Sequence, residues 1–275
     1  MASARTGPIG LALATARDRL AAAGCDTPRL DAELLLASIL GVGRERLVID
    51  RREPLPTGAW ARFDALLERR AAREPVAYIL GRRDFRRLTL AVDPRVLIPR
   101  PETELLVEVG VGLPVGARVV DVGTGSGAVA LALKDERPDL IVRGTDISED
   151  ALAVAGENAR RLGLDVEFVA ADLLDAGAAD AVLANLPYVA EGAALAPEIT
   201  RYEPAGALFA GPDGLDVVRR LIDAVAERRA VGLIALEIGP EQAPAVGELV
   251  SAAGFAEVSV LRDLAGLDRV VVGRR

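Results

Sequence analysis

From Leu105 to the C-terminus, short apolar runs alternate with longer stretches of helical character, and no other feature of the chain narrows its fold as far. The runs are Arg118 to Val122, Ile141 to Thr145, Val166 to Ala170, Ala181 to Ala184, Leu233 to Ile238, Val258 to Leu261 and Arg269 to Val272. Such alternation predicts an α/β fold: a doubly wound, Rossmann-like, seven-stranded sheet with helices on both faces. The connection between the last two runs is too short for a crossover helix, so these two are expected to pair antiparallel at one edge. No internal repeat or low-complexity tract interrupts the pattern.

Earlier in the chain the pattern differs. Residues 1–75 read as a small N-terminal all-α domain, with helices over Ile9 to Ala23, Pro28 to Leu40 and Gly58 to Arg73 and a short turn at Arg44 to Ile49. Thr27 stands as an N-cap before a first-turn proline, Gly41 closes that helix, and Thr57 is placed to cap the next. Leu30, Leu34, Leu35 and Ile39 form a stripe expected to face a bundle core. Residues 76–104 read as a β-hairpin linker, with Tyr78 to Leu80 and Leu88 to Val92 as its strands. Arg82, Arg83, Arg86 and Arg87 on this hairpin are expected to form a solvated face, with contact to a nucleic acid or acidic partner as the alternative. Residues 105–275 form the sheet domain.

Composition restricts the chemistry. There is no histidine and Cys25 is the only cysteine, which removes disulfides, zinc sites built from His and Cys, and every His-dependent triad. No metal site is expected, and the work falls to carboxylates, amides, hydroxyls, backbone groups or an organic cofactor. The net charge of −8 argues against direct nucleic-acid binding over a large footprint. Charge is unevenly spread: residues 1–75 hold 12 Arg against 10 acids, and the remainder holds 21 basic and 31 acidic groups. No apolar run approaches the roughly 18 to 20 residues of a membrane span. Ile9 to Ala16 lacks the flanks of a signal peptide, so a soluble, cytoplasmic protein is expected.

The first strand of the sheet runs into Asp121-Val122-Gly123-Thr124-Gly125-Ser126-Gly127, ahead of a helix beginning at Ala128. Glycines let the chain turn tightly and let a cofactor approach the backbone at the positive end of a helix. Gly123, Thr124, Gly125, Ser126 and Gly127 are therefore cofactor-binding candidates. By itself the pattern suits a dinucleotide as well as S-adenosylmethionine, because Gly123-x-Gly125-x-x-Ala128 satisfies the loose fingerprint. Asp146, 19 residues after Gly127 and ending the second strand, is placed to take both ribose hydroxyls, which either cofactor requires. Ser148 reads as the N-cap of the next helix. Asp172 ends the third strand, either to accept from an adenine amino group or as a plain loop acid.

The tetrapeptide Asn185-Leu186-Pro187-Tyr188 follows the fourth strand into the same crevice. It points to methyl transfer onto a planar nitrogen. An amide or exocyclic amine is a poor nucleophile because its lone pair is delocalised, so a site must position it and accept hydrogen bonds from its NH2 group. The Asn185 side-chain oxygen beside an exposed backbone carbonyl supplies two such acceptors. A hydride-transfer enzyme has no comparable use for these residues. The remaining alternative is a turn with Asn and Pro as turn formers.

At these residues the chain resembles the release factor glutamine methyltransferases, class I S-adenosylmethionine-dependent enzymes with an N-terminal helical domain. The resemblance runs nearly end to end, through Ile98 to Glu104, Asp121 to Leu133, Asp146-Ile147-Ser148 with Ala151-Leu152, and Asn158-Ala159. It continues through Glu203-Pro204 with Ala207-Leu208, Asp213 to Asp216, Glu237-Ile238-Gly239 with Gln242, and Asp268-Arg269-Val270. It implies a methyltransferase sheet and transfer of a methyl group from S-adenosyl-L-methionine to the side-chain amide of the glutamine in the Gly-Gly-Gln motif of peptide chain release factors. It further implies that Gly123 to Gly127, Asp146 and Asn185 meet the cofactor and that Asn185, Leu186, Pro187 and Tyr188 hold the glutamine, Tyr188 against its stem. The helical domain would grip the release factor. Glu102 and Thr103 would line the substrate side, while Arg100 and Glu104 could form an interdomain ion pair.

Two positions depart from the family pattern: Leu186 stands where a proline is usual, and Leu173 follows Asp172 where a tryptophan often does. Leu186 keeps its carbonyl, and the lost restriction is on the order of 0.4 to 1 kcal/mol. Losing the ring at Leu173 removes a stacking surface of roughly 0.5 to 1.5 kcal/mol, with weaker cofactor binding the expected consequence. Rival readings are a glutamine methyltransferase for a large-subunit ribosomal protein, a nucleic-acid adenine methyltransferase, and a non-catalytic S-adenosylmethionine-binding adaptor.

Overall fold

The computed structural model describes residues 7–275, which divide into two compact units. One holds the chain up to Gly81 together with Leu195–Tyr202, and the other holds Arg82–Ala194 and Glu203–Arg275. The sequence-based limits at 75 and 104 differ from this, since the hairpin belongs to the sheet unit and a short later segment to the helical one.

The helical unit contains α1 (Ile9–Ala22), α2 (Pro28–Leu40), α3 (Arg44–Ile49), α4 (Ala59–Ala71) and α5 (Val76–Leu80). Ala12, Ala16 and Leu20 of α1 meet Leu35 and Leu36 of α2, Leu47 of α3 and Phe63 of α4 in one buried cluster. The α2 stripe is rotated from expectation: Ala32, Leu35 and Leu36 are buried, whereas Leu30 is 37% exposed. Gly41 closes α2 in the left-handed conformation. Thr27 does not cap it through its side chain, because its hydroxyl donates to Asp31 instead (2.7 Å). Gly58, not Thr57, precedes α4. Val76 to Leu80, expected to be partly strand, is helical: Pro75 leads into it and Gly81 ends it at φ 67°. Five apolar residues between such punctuation carry no periodicity that separates strand from helix. Glu198, from the segment Leu195–Tyr202, accepts from Arg70 (2.9 Å) and Arg73 (2.6 Å), and buried Arg70 also pairs with buried Asp31 (2.7 Å). This network ties the later segment to its unit.

The sheet unit opens with the hairpin β1 (Arg82–Phe85) and β2 (Leu88–Ala91), followed by α6 (Glu104–Val111), β3 (Arg118–Val122), α7 (Ala128–Glu136), β4 (Ile141–Asp146) and α8 (Glu149–Leu162). Then come β5 (Glu167–Ala170), β6 (Ala181–Ala184), α9 (Pro197–Tyr202, in the helical unit), α10 (Asp216–Ala226), β7 (Leu233–Glu237), α11 (Ala243–Ala252), β8 (Glu257–Arg262) and β9 (Asp268–Arg274). The main sheet has the order β5-β4-β3-β6-β7-β9-β8, parallel except for β9, which pairs antiparallel with β7 and β8 as its short connection requires. Alternate residues of each strand serve opposite faces. Val119, Leu183 and Ala235 pack with Leu106, Val107, Leu131 and Leu133 of α6 and α7. Val120, Val182 and Ile234 pack with Leu221 and Val225 of α10 and Val246 and Val250 of α11. Each fully buried side chain of this kind contributes about 1.5–3 kcal/mol.

The hairpin arginines are mostly committed within their own unit. Arg86 pairs with Glu136 (2.8 Å), Arg87 with Asp135 (3.0 Å), and Arg83 donates to the Pro99 carbonyl (3.2 Å), leaving Arg82 exposed. Among the described residues no helix is long and apolar enough to cross a membrane.

Candidate active site

The chain reverses winding direction at β3, which has β4 on one side and β6 on the other. Ligands of open α/β sheets bind in the crevice outside the strand carboxyl ends at such a switch point. Here that crevice is a cavity of about 420 Å³. A depression of about 540 Å³ along α8 and β5 is wider and more open to solvent, and brings together only Arg160 and Asp165 as charged groups.

The glycine-rich turn is held from several sides. Gly123, Gly125 and Gly127 have φ of 71°, 55° and 81°. A Cβ on Gly123 would lie 2.9 Å from the Leu186 side chain, and one on Gly127 would lie 2.9 Å from Leu131, so packing as well as backbone conformation requires glycine there. A Cβ on Gly125 would meet nothing within 4 Å, which leaves the backbone at that point open to the cavity. Asp121 is buried; its Oδ2 accepts from the Thr124 hydroxyl (2.6 Å) and from the Ala130 amide in the first turn of α7 (3.2 Å), where Gly127 offers no capping side chain. Burial pushes its carboxyl up to about 6, against the pull of these two hydrogen bonds. Asp146 accepts from the Gly125 amide through Oδ2 (2.9 Å) and from the Ser148 amide through Oδ1 (2.9 Å). Each oxygen keeps a further lone pair. Ser148 caps α8, accepting from the Ala151 amide (3.2 Å).

Of the residues singled out from sequence, Gly123, Thr124, Gly125, Ser126, Asp146, Asp172, Leu173, Asn185, Leu186 and Pro187 line this one cavity. Gly127 and Tyr188 are not on its wall. Asp172 is exposed and pairs with Arg220 at 2.5 Å, a contact the sequence offered no means of foreseeing. Leu173 adopts φ 72°, and its carbonyl accepts from the Thr145 hydroxyl (2.6 Å). For a non-glycine residue this conformation costs about 1–2 kcal/mol.

The Asn185–Tyr188 loop is braced by Thr103, expected only to line the substrate side, and by Glu237 and Gln242, to which sequence reasoning gave no role. Asn185 Nδ2 donates to Thr103 Oγ1 (3.0 Å), and its Oδ1 accepts nothing from a described residue. The Leu186 side chain is buried against Gly123 and joins the core, and its carbonyl likewise accepts nothing from a described residue. Gln242 donates Nε2 to the Tyr188 carbonyl (3.0 Å) while its Oε1 accepts from the Gly239 amide (2.8 Å). Val189 bonds through its amide to the Leu208 carbonyl (2.9 Å) and through its carbonyl to the Ala210 amide (3.0 Å). Tyr188 Oη donates to Glu237 Oε1 (3.3 Å). Burial, and then the Glu237 charge, keep that phenol protonated well above its usual range.

Sequence reasoning missed the strap from Arg95 to Pro99, which lines the cavity together with Thr103. Glu203 holds it, accepting from the Ile98 amide (3.1 Å) and from Arg100 (2.5 Å), so the partner of Arg100 is Glu203 and not Glu104. Ile147, next to Asp146, lines the cavity while 75% exposed. Asn158 ties the Ser126 carbonyl to Ala91 of the hairpin. Ile98, Pro99, Ile147, Asn158 and Glu203 lay in the quoted motif blocks without such a role, whereas Arg95 to Leu97 carried no signal.

Residues 12–81 match the model of the PrmC N-terminal domain, and residues 101–202 match that of the Methyltransferase small domain. A release factor glutamine methyltransferase from Cereibacter sphaeroides is 47% identical, over 96% of this chain and 97% of its own length. Those of Mycolicibacterium smegmatis and Neisseria gonorrhoeae are 44% and 42% identical, covering 96% and 90% of this chain and 96% and 93% of theirs. Among solved structures, the hMettl16 catalytic domain in complex with a 3′UTR hairpin superposes with a TM-score of 0.56 at 18% identity, over 76% of this chain and 81% of that one. A methyltransferase from Pyrococcus furiosus gives 0.50 at 15%, over 67% and 87%. These two speak for the fold alone, but the near-complete alignments at more than 40% identity decide the family: the chain is a member of the release factor glutamine methyltransferases.

Proposed function

We propose that this protein methylates the side-chain amide nitrogen of the glutamine in the Gly-Gly-Gln motif of peptide chain release factors, with S-adenosyl-L-methionine as methyl donor. The observation that carries the reading is a pair of acceptors, Asn185 Oδ1 and the Leu186 carbonyl, that take no hydrogen bond from a described residue and belong to residues lining the cavity that also holds Asp146 and the glycine turn.

The residues present suit this cofactor. Asp146 is anchored through both oxygens yet keeps lone pairs for two ribose hydroxyls, and Gly125 leaves backbone open to a ligand. Ile147 and Leu173 provide apolar walls, and Asp172 stands at the rim as an acceptor already shared with Arg220. Bound there, S-adenosylmethionine supplies an electrophilic methyl group on a good leaving group.

The protein's part is orientation. Asn185 Oδ1 and the Leu186 carbonyl accept the two N–H bonds of the glutamine amide, fixing its nitrogen and the direction of its attack. Positioning of this kind can contribute about 7–11 kcal/mol. The nitrogen sheds a proton as it is alkylated, so no strong base is needed, and none of the chain's groups is assigned that task. Tyr188 holds the loop through its hydroxyl on Glu237 and its carbonyl on Gln242.

The helical unit would recognise the folded release factor, and the site of action would be the cytoplasm, where such factors work. The names of the relatives support none of the rivals, whether ribosomal-protein, adenine or adaptor. The test is mass spectrometry of an unmethylated release factor incubated with this protein and S-adenosylmethionine. One added methyl on the Gly-Gly-Gln glutamine is expected, abolished by Asn185→Ala with cofactor binding largely kept, whereas Asp146→Ala weakens cofactor binding first. Near-normal turnover by Asn185→Ala would overturn the mechanism, and transfer to another macromolecule would replace the substrate. A short Gly-Gly-Gln peptide should show a higher KM than the whole factor if the helical unit takes part.

A further inference from the structure

Behind the acceptor pair lies a buried polar chain that accepting hydrogen bonds from a substrate does not by itself require. Glu237 ends β7 and is 2% exposed. Tyr188 Oη donates to its Oε1 at 3.3 Å, and its Oε2 is buried without a hydrogen-bond partner among the described residues; the Thr103 hydroxyl is near enough to favour the ionised carboxyl. Thr103, also buried, receives Asn185 Nδ2 at 3.0 Å.

A side-chain amide has two ends of nearly the same shape and opposite hydrogen-bonding sense. Turned over, Asn185 would present its NH2 to the NH2 of a glutamine, donor against donor. An ionised carboxylate only accepts. An ionised Glu237 would attract the proton of the neighbouring Thr103 hydroxyl, leaving Thr103 with lone pairs toward Asn185, where Nδ2–H meets them at 3.0 Å.

We infer that Thr103 and Glu237 are positioning residues that fix the amide orientation of Asn185, so that Oδ1 faces the nitrogen to be methylated. The inference rests on the function proposed above. Burial pushes the Glu237 carboxyl up to about 7, while the two hydroxyls favour its ionised form. The charged groups around it are Glu102, which opposes ionisation, and Arg269, which favours it and is paired with Asp263 (2.8 Å). A protonated Glu237 can donate to Thr103 and release the Thr103 proton toward Asn185, so the orientation holds above about pH 7 and is lost below it.

The experiment is steady-state methylation of an unmethylated release factor by the wild type, Thr103→Val, Thr103→Ser and Glu237→Gln across about pH 5.5 to 9, with cofactor Kd and Tm measured on each. Removing such an outer partner is expected to lower kcat about 10–100-fold in Thr103→Val and Glu237→Gln, with KM for the release factor much less changed. Thr103→Ser should restore most of the rate, because it keeps the hydroxyl and loses only a methyl group. The wild type should lose kcat as pH falls through about 7, and Glu237→Gln should lack that limb. Wild-type kcat in Thr103→Val, equal impairment of Thr103→Val and Thr103→Ser, or an acid limb retained in Glu237→Gln would each overturn the inference alone. Failure of the wild type to methylate any release factor glutamine would reject the functional reading, and this inference with it.

Discussion

Asn158→Ala should destabilise the sheet unit and leave the helical unit almost untouched. Asn158 lies on α8 with no exposed surface. Its Nδ2 donates to the Ala91 carbonyl (3.0 Å) and the Ser126 carbonyl (2.9 Å), and its Oδ1 accepts from the Ala91 amide (2.7 Å) and Arg161 (3.2 Å). Alanine strips the partner from three backbone groups. At the low end of the cost of an unsatisfied buried group, because water can reach part-buried Ala91, the loss is about 3 kcal/mol. With a urea m-value of about 2–3 kcal/mol/M, the unfolding midpoint of the sheet unit falls by about 1 M. Far-UV circular dichroism follows both units. Trp60, the only tryptophan, lies in the helical unit and reports that unit by fluorescence as an internal control. The dichroism transition should move and the Trp60 transition stay. A loss under about 1 kcal/mol would refute the hydrogen-bond accounting, and equal movement of both transitions would refute its assignment to one unit.

Gly214→Ala should cripple the site without unfolding the protein: Gly214 has φ 75° and its Cβ would stand 2.2 Å from the Tyr188 carbonyl oxygen. The loop must shift, and displacement on the order of 1 Å can cost about 100-fold in kcat/KM; activity within a few-fold of wild type would show that the loop tolerates movement. Asp121→Asn should gain stability relative to wild type as pH rises. The folded-state carboxyl sits at about 6 against an ordinary 3.8, so its contribution is fully present below the unfolded value and is lost as pH rises through 6. Between about pH 5 and 7.5 the variant should gain about 1 to 1.5 kcal/mol in urea unfolding, whereas a flat difference would mean that Asp121 titrates normally.

The seven strands were legible from sequence because each is a short apolar run bounded by turn residues, and the antiparallel edge because its connection is too short to cross over. The cofactor side was legible for a related reason. Glycines at positive φ, Asp146 at the end of β4 and Asn185 just beyond β6 are local features, and the topology of the sheet brings them to one crevice. Where local pattern was ambiguous, tertiary packing decided. Val76 to Leu80 became helix, the α2 stripe turned toward Ala32 and Leu36, and Thr27 bonded Asp31 in place of the helix end. The supports of the site could not be read at all, because their partners are far apart in the chain: Thr103 with Asn185, Glu237 with Tyr188, Glu203 with Ile98 and Asn158 with Ala91. Sequence alone determined which groups β3, β4 and β6 bring to the cavity, since those are placed by the ends of strands. Only the tertiary structure decided how those groups are held and which way they face, since a hydrogen bond between distant residues leaves no periodicity in the chain.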